Sequence, residues 1–183
     1  ALEDYLGNAR EHLDCMIDFG GDEVEIVQGA QSYSMRANWK LLVENSMDGY
    51  HATSTHLRYF RQYMPDIGMD SSQWMDMKAW GDTAGIALDN GHAVIKTPMR
   101  PTPISASAAG ELAATRAKLD AKLGKERAHQ TADFHRNLFI FPNLILISLW
   151  HTVRTFYPIA PDYMEIDAWG LFPSNDSEAL RQK

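Results

Sequence analysis

The sequence contains a single cysteine, Cys15, among its 183 residues. It therefore lacks the residues for an internal disulfide, for a zinc site built from cysteines and for an iron–sulfur cluster held by cysteines. A glycine-rich phosphate loop and the GxSxG sequence of serine hydrolases are also missing. Any chemistry must consequently depend on the seven histidines and on the carboxylates.

The sequence also lacks a basic patch. Its 17 Lys and Arg residues stand against 24 Asp and Glu residues, a formal charge of −7, and the basic residues do not cluster, which argues against a nucleic acid partner. No apolar run approaches the roughly 20 residues that cross a bilayer, and the first residues do not have the order of a signal peptide. We therefore expect neither nucleic acid nor membrane as a partner, and a cytoplasmic location as the default.

Helical and strand patterns occur in separate stretches. Residues 2–17 and 111–123 have the spacing of amphipathic helices. Strand character, with alternating or β-branched and aromatic residues, is found in 23–39, 75–98 and 137–173, and the last of these predicts two or three antiparallel strands. Asn90-Gly91 is typical of a hairpin turn. Without repeated βαβ units, the predicted fold class is α+β, with an antiparallel sheet wrapped over helices.

Potential ligands are concentrated between residues 44 and 56. On a straight helix Asn45, Asp48 and His51 would share a face, whereas His56 would lie about 140° away. Both histidines can therefore bind one metal only if the helix is broken. We expect the break at Ala-Thr-Ser-Thr, residues 52–55, because Ser and Thr side chains compete for backbone hydrogen bonds.

Two imidazoles suit zinc, copper, iron or nickel, and the other ligands decide among these metals. Two histidines with one carboxylate and open positions would indicate Fe(II). Asp48 is placed to hold the outer nitrogen of His51. Taken alone, the His-x4-His spacing is more common on ordinary helix surfaces than in metal sites, because it lacks the specificity of HExxH.

A longer stretch of sequence around the two histidines favours a metal site over an ordinary helix surface. Residues 38–56, NWKLLVENSMDGYHATSTH, resemble the mononuclear-iron motif of the large (alpha) subunit of Rieske non-haem iron aromatic ring-hydroxylating oxygenases, and residues 141–173 resemble strands that wall the substrate pocket of that family. The Asp-Gly-Tyr-His form is most similar to dioxygenases of benzoate and alkylbenzoate type. The matching positions are Asn38-Trp39-Lys40, Glu44-Asn45, Asp48, His51 and His56.

The resemblance implies a helix-grip, START-like catalytic domain in which His51 and His56 bind mononuclear Fe(II). It implies that Asp48 carries electrons towards the iron from a Rieske [2Fe-2S] cluster in a neighbouring subunit, and that Asn45 is also catalytic. The third iron ligand is expected to be an aspartate beyond Lys183, and the Rieske domain is expected to precede residue 1. Residues 1–183 would then be a catalytic domain that is incomplete at its C-terminus.

The same resemblance implies a reaction and a set of partners. The family adds O2 to an aromatic substrate to give a cis-dihydrodiol, with electrons from NADH delivered through a reductase, a ferredoxin or both. Large subunits form trimers, in some members with three small subunits. Residues expected to line the substrate pocket are Met47, Phe141, Asn143, Leu146, Ser148 and His151.

Two alternatives from other classes stay open at this point. A helix-grip module could hold an apolar ligand without catalysis and without a metal. A two-histidine zinc hydrolase would use zinc-bound water, and it would need a third ligand and a general base.

Overall fold

A computed structural model describes residues 1–21, 23–66, 83–99, 106–149, 151–174 and 176–177. Within these residues no helix is both long enough and apolar enough to cross a membrane. The helices are α1 (Leu2–Leu6), α2 (Ala9–Asp18), α3 (Trp39–Met47), α4 (Ala52–Thr55), a π-helical turn (Tyr59–Tyr63), α5 (Met64–Asp66), a 3-10 turn (Asp89–Gly91), α6 (Ala106–Leu123) and α7 (Lys125–Ala132). The strands are β1 (Val24–Ile26), β2 (Gln31–Met35), β3 (Ala84–Ala87), β4 (Ala93–Pro98), β5 (Phe134–Ile140), β6 (Leu144–Ile147), β7 (Thr152–Ala160) and β8 (Tyr163–Pro173).

The described strands form one antiparallel sheet in the order β1-β8-β7-β6-β5-β4-β3, and β2 pairs with another part of β8. Every neighbouring pair from β3 to β8 is antiparallel. Short turns join most of these strands, whereas α6 and α7 lie between β4 and β5. The predicted α+β class with an antiparallel sheet is confirmed.

Helices cover both faces of this sheet. On one face α1 and α2 pack against Val94, Leu138, Ile140 and Leu146. On the opposite face α3 packs against a second cluster that includes Phe139, Ile145, Phe156 and Ile166. Because side chains alternate along a strand, neighbouring residues of β5 and β6 belong to different clusters. The face on which a residue lies therefore decides which helix it contacts.

Several predicted elements differ from the observed ones in extent. The helix expected over residues 2–17 is two helices, because Gly7 adopts φ +49 between them. The helix expected from residue 111 begins at Ala106. Residues 134–173 include four strands rather than two or three, since turns at 141–143, 148–149 and 161–162 divide the apolar stretch.

The predicted hairpin turn is confirmed at Asn90 (φ +55) and Gly91 (φ +80), between β3 and β4. The strand expected at 75–80 lies outside the described residues. Next to this turn His92 is 2 % exposed and uses both ring nitrogens: Nε2 donates to the Tyr5 carbonyl (2.9 Å), and Nδ1 accepts from the Phe141 backbone N–H (3.0 Å). His92 thus joins α1, the hairpin and the β5–β6 turn.

Candidate metal centre

Helix α3 is fixed at its start by a cap and by an aromatic contact. The side chain of Asn38 accepts a hydrogen bond from the Lys40 backbone N–H (3.0 Å) and donates one to the Pro161 carbonyl (2.7 Å). Asparagine is a preferred N-cap residue because its short side chain satisfies an otherwise free helix N–H. The Trp39 ring stacks on Phe156 of β7, with centroids 6.1 Å apart. These contacts hold the helix against the sheet.

The chain breaks immediately after α3. Asp48 has an extended backbone (φ −104, ψ +144), and its N–H still donates to the Glu44 carbonyl. The expected break is confirmed, but its position is wrong, because Ala52–Thr55 form the short helix α4. The physical reason is the Asp48 carboxylate, which accepts the backbone N–H of His51 (3.2 Å) and so supports the start of the next helical turn.

The break brings the two histidine rings together. His51 precedes α4 and His56 follows it, and their Nε2 atoms lie 3.2 Å apart with ring centroids at 5.1 Å. The Nδ1 of His51 is hydrogen-bonded to Asp48 Oδ1. Asn45, in the last turns of α3, places Nδ2 3.1 Å from His51 Nε2. All four side chains predicted for the iron site or its surroundings therefore converge.

The hydrogen bond to Asp48 determines how His51 can act. When Nδ1 carries the proton that is donated to the carboxylate, Nε2 presents a lone pair, and this arrangement is the usual support for a metal-binding histidine. Two nitrogens 3.2 Å apart can both reach one ion at about 2.1 Å, the usual metal–imidazole distance. The residues present thus fit two positions of a metal site.

Burial also favours the neutral form of His56, which is the form that binds a metal. The pKa of His56 lies below its usual value because burial disfavours the imidazolium and because His51 is adjacent. A neutral imidazole is the form that binds metals. Phe60 lies edge-on to the His56 ring, with centroids 6.3 Å apart, and packs with Ala52 and Met64 in a small apolar cluster.

The described residues do not supply a complete metal site. Among them, no group of three or more His, Cys, Asp or Glu side chains is arranged to hold a metal ion. The third ligand that the resemblance implies would follow Lys183, outside the chain, so it stays a prediction.

The residues predicted to line the pocket are dispersed. Met47 packs against the cluster beneath α3, next to the site. Asn143 is half-buried, and its amide donates to the Phe156 carbonyl (3.0 Å). Phe141 is 43 % exposed in the β5–β6 turn, where its carbonyl accepts from the Tyr5 hydroxyl.

Three others lie on or near the face covered by α2. Leu146 packs with Ala9 and Met16 on that face. Ser148 and His151 line a small cavity beside α2 that also includes Cys15. The structure does not bring Leu146, Ser148 or His151 beside the histidine pair. The predicted strand character of this region is confirmed, but the sequence pattern did not show which residues face α3.

One residue near the site was missed. Asn137 of β5 donates from Nδ2 to the carbonyl of Ser46, in the last turn of α3, at 3.2 Å. It shares the α3-facing side of β5 with Phe139 and, by strand alternation, with His135. Residues 134–140 show no regular alternation of polar and apolar residues, so the sequence carried no signal for this contact. Burial, together with His151 and Arg136, lowers the pKa of His135 to about 4, so its imidazole is neutral at neutral pH.

Comparisons with known proteins identify the family to which the chain belongs. The family model described as "Ring hydroxylating alpha subunit (catalytic domain)" matches residues 7–183. The chain is 31 % identical over 185 residues to the large subunit of 2-halobenzoate 1,2-dioxygenase from Burkholderia cepacia, covering 98 % of this chain and 39 % of that protein. It is 29 % identical over 188 residues to the alpha subunit of toluate 1,2-dioxygenase from Pseudomonas putida, covering 96 % of this chain and 39 % of that protein.

The fold is shared with solved oxygenases. A naphthalene 1,2-dioxygenase mutant bound to phenanthrene superimposes with a TM-score of 0.79 at 23 % identity, over all of this chain and 42 % of that one. The fold is thus the helix-grip-like α+β fold of Rieske oxygenase catalytic domains. The chain belongs to the family of ring-hydroxylating alpha subunits, and it corresponds to their catalytic domain. It spans about two fifths of the length of the curated relatives that it matches.

Proposed function

We propose that this chain forms the iron-binding part of the terminal oxygenase in a multicomponent aromatic ring-hydroxylating dioxygenase. The observation that carries the proposal is the pair of Nε2 atoms of His51 and His56, 3.2 Å apart, with Asp48 bonded to the far side of His51. An aspartate that follows Lys183 would complete two histidines and one carboxylate, the ligand set of non-haem Fe(II) sites that leave positions open for O2 and substrate. The iron would activate O2 for addition to the ring to give a cis-dihydrodiol.

The chain's own residues have distinct parts in this proposal. Asp48 fixes the tautomer and the orientation of His51 by accepting the Nδ1 proton. Asn45 places its amide beside the ligand atom of His51, where it can orient a group bound next to the metal. Phe60 and the apolar residues around it keep water from one side of His56.

The position of Asp48 supports a proposal for the route of electrons. Its carboxylate contacts His51 in the segment between α3 and α4, and the adjacent Tyr50 is 72 % exposed. We propose that this segment meets a Rieske [2Fe-2S] domain of a neighbouring large subunit, as in a trimer of large subunits with or without small subunits. NADH would supply the electrons through a reductase, a ferredoxin or both.

We propose an aromatic carboxylic acid as the substrate. The relatives named for 2-halobenzoate, toluate and anthranilate are 29 to 31 % identical to this chain, whereas those named for biphenyl, benzene and chlorobenzene are 24 to 26 % identical. The first group acts on rings that carry a carboxylate. The higher identity favours that class.

Metal analysis and isotope labelling test the proposal on the whole purified protein. We expect iron near one per catalytic site, beyond the iron of the Rieske cluster, and both atoms of ¹⁸O2 in the product from a benzoate. His51→Ala and His56→Ala should lose the mononuclear iron, whereas His129→Ala, which removes a surface histidine paired with Asp133, should keep it. Zinc at the site would indicate the hydrolase alternative, and unchanged ligand binding without any metal would indicate a non-catalytic module.

A further inference from the structure

Arg136 of β5 is an interior cation that forms no ion pair with an acidic side chain within the described residues. It is 3 % exposed, and its guanidinium donates to the carbonyls of Phe134 (3.2 Å) and Gln130 (2.6 Å). The Nε–H is buried and has no hydrogen-bond partner within the described residues, and no Asp or Glu in that part of the chain forms an ion pair with Arg136. A buried charge without a counter-ion is strongly unfavourable.

A second cation lies directly opposite. Lys96 of β4 is the cross-strand partner of Arg136, so two like charges face each other on one side of the sheet, which ordinarily destabilises a strand pair. The Lys96 ammonium donates to the Gln130 side chain and lies 4.0 Å from the centroid of Phe134. Burial and the adjacent Arg136 lower the pKa of Lys96.

The carboxylate whose charge acts on both Arg136 and Lys96 is already paired with another cation. Glu11 on α2 pairs with Arg127 of α7, with 3.3 Å between the guanidinium nitrogen and the carboxylate oxygen. Glu11 therefore balances a different guanidinium. The positive charge of Arg136 and Lys96 is not neutralised by a direct ion pair with any carboxylate in the ranges that the structure describes.

A small cavity adjoins Arg136 between α2, α7 and the sheet. Its volume is about 20 Å³, enough for a small ion or the end of a side chain. The polar side chains in its wall are those of Arg136, Thr131, Cys15, Ser148 and His151, and the rest of the wall is apolar. Thr131 is 1 % exposed, and its hydroxyl has no partner among the described residues. Two buried donors at this cavity, the Nε–H of Arg136 and the hydroxyl of Thr131, thus have no acceptor within the described part of the chain.

We propose that this cavity is an anion site, in which Arg136 and Thr131 bind one small monovalent anionic group. A halide ion or a carboxylate has the required charge and accepts hydrogen bonds from both residues. The carboxylate could belong to a part of the protein outside this chain. The anionic group is therefore either a free ion or a carboxylate of another protein segment. The proposal concerns the α2 face of the sheet and does not depend on the metal centre across it.

Crystals of the whole protein soaked in sodium bromide distinguish the sources. An anomalous bromide peak in contact with Arg136 and Thr131 identifies a free-anion site. A carboxylate oxygen of another segment at the same position, without bromide, identifies an internal partner. Both results support the anion site, whereas a water molecule alone at both donors in bromide-soaked crystals overturns it.

Solution measurements keep the test independent of crystal growth. If the anion is free, bromide should raise the melting temperature of the wild-type protein relative to sodium gluconate, whose anion is too large for the cavity. Thr131→Val keeps the shape of the side chain and removes the hydroxyl, and it should weaken bromide about tenfold or more. Arg116→Met, at a half-buried arginine that already pairs with Asp133, should leave the bromide response unchanged.

If the anion is an internal carboxylate, bromide should not raise the melting temperature relative to gluconate. Mutation of that carboxylate to its amide should then lower the melting temperature in the wild-type protein, and it should lower it much less in Arg136→Met. Additive losses in the double variant would contradict the pairing, because independent groups contribute independently. If Arg136→Met does not fold, the same double-mutant comparison made with Thr131→Val tests whether the carboxylate pairs with this site.

Discussion

Asp48 Oδ1 accepts two hydrogen bonds from His51, one from the backbone N–H at 3.2 Å and one from Nδ1. One carboxylate oxygen therefore both supports the start of the helical turn after α3 and fixes the histidine ring. Local chain geometry and the chemistry of the candidate ligand depend on the same atom.

Asp48→Asn should separate these two functions. Asparagine keeps an oxygen that accepts from the His51 backbone, so we expect the fold and near-stoichiometric iron to be retained. The variant loses the negative charge next to Nδ1, and we expect product formation to fall by about tenfold or more relative to NADH consumption. Product, NADH and O2 should be measured together.

Glu44→Gln is the matched control for Asp48→Asn. Glu44 is an exposed acid of α3, and replacing it removes the same charge one helical turn before Asp48. Its ratio of product to NADH should stay at the wild-type value. A normal ratio in Asp48→Asn would contradict the role in electron transfer.

The sequence predicted the ligand cluster because its information is local. Asn45, Asp48, His51 and His56 lie within twelve consecutive positions, and the need for a break followed from helix geometry alone. The position of the break was wrong because an aspartate side chain capped the next turn, which spacing does not reveal.

The pocket residues could not be predicted in the same way. Whether Leu146 or Ile145 faces α3 depends on strand register, and a shift of one residue reverses the face. Leu146 packs with Met16 under α2, whereas Ile145 packs on the α3 side. A continuous apolar run such as residues 144–147 carries no alternation from which to assign the faces. The contact of Asn137 with Ser46 joins residues distant in sequence and needed the fold.

Asn137→Ala should weaken the metal centre without removing a ligand. The substitution deletes the hydrogen bond to the Ser46 carbonyl, which costs about 1–2 kcal/mol of stability, and it loosens the last turn of α3 before Asp48. We expect the variant to lose iron to a chelator faster than the wild-type protein does. Its unfolding free energy, measured in urea, should also be lower.

Asn143→Ala removes a comparable hydrogen bond, to the Phe156 carbonyl at 3.0 Å, from the β5–β6 turn. It should lower stability by a similar amount and leave the rate of iron loss near the wild-type rate. Equal iron loss from the two variants would show that Asn137 acts only through general stability.

Two glycine substitutions should have opposite effects on stability. A Cβ on Gly20 would lie 2.5 Å from Cβ of Pro173, whose ring cannot turn away, so Gly20→Ala should cost about 1–3 kcal/mol. Gly110 lies inside α6 with open space around it, so Gly110→Ala should add up to about 1 kcal/mol through helix propensity. Urea unfolding of both variants measures the difference, and a loss of stability in Gly110→Ala would contradict the open helix surface.

His135 should make the stability of the protein depend on pH in the acid range. Its folded-state pKa is about 4 because of burial, His151 and Arg136, whereas the ordinary value is 6.5. Between these values the unfolded chain binds a proton that the folded chain does not, so the unfolding free energy falls as the pH falls. The contribution of His135 should be nearly complete above pH 6.5 and lost progressively towards pH 4.

His135→Leu removes this titration while keeping a side chain of similar size. Between pH 7 and pH 5 we expect the wild-type protein to lose up to about 2 kcal/mol more unfolding free energy than the variant, measured in urea at each pH. His129→Gln, at a half-exposed histidine, should keep the wild-type dependence, because His135 remains in place. Parallel losses in the wild-type protein and His135→Leu would show that the imidazole of His135 takes up its proton in the folded protein as readily as in the unfolded chain.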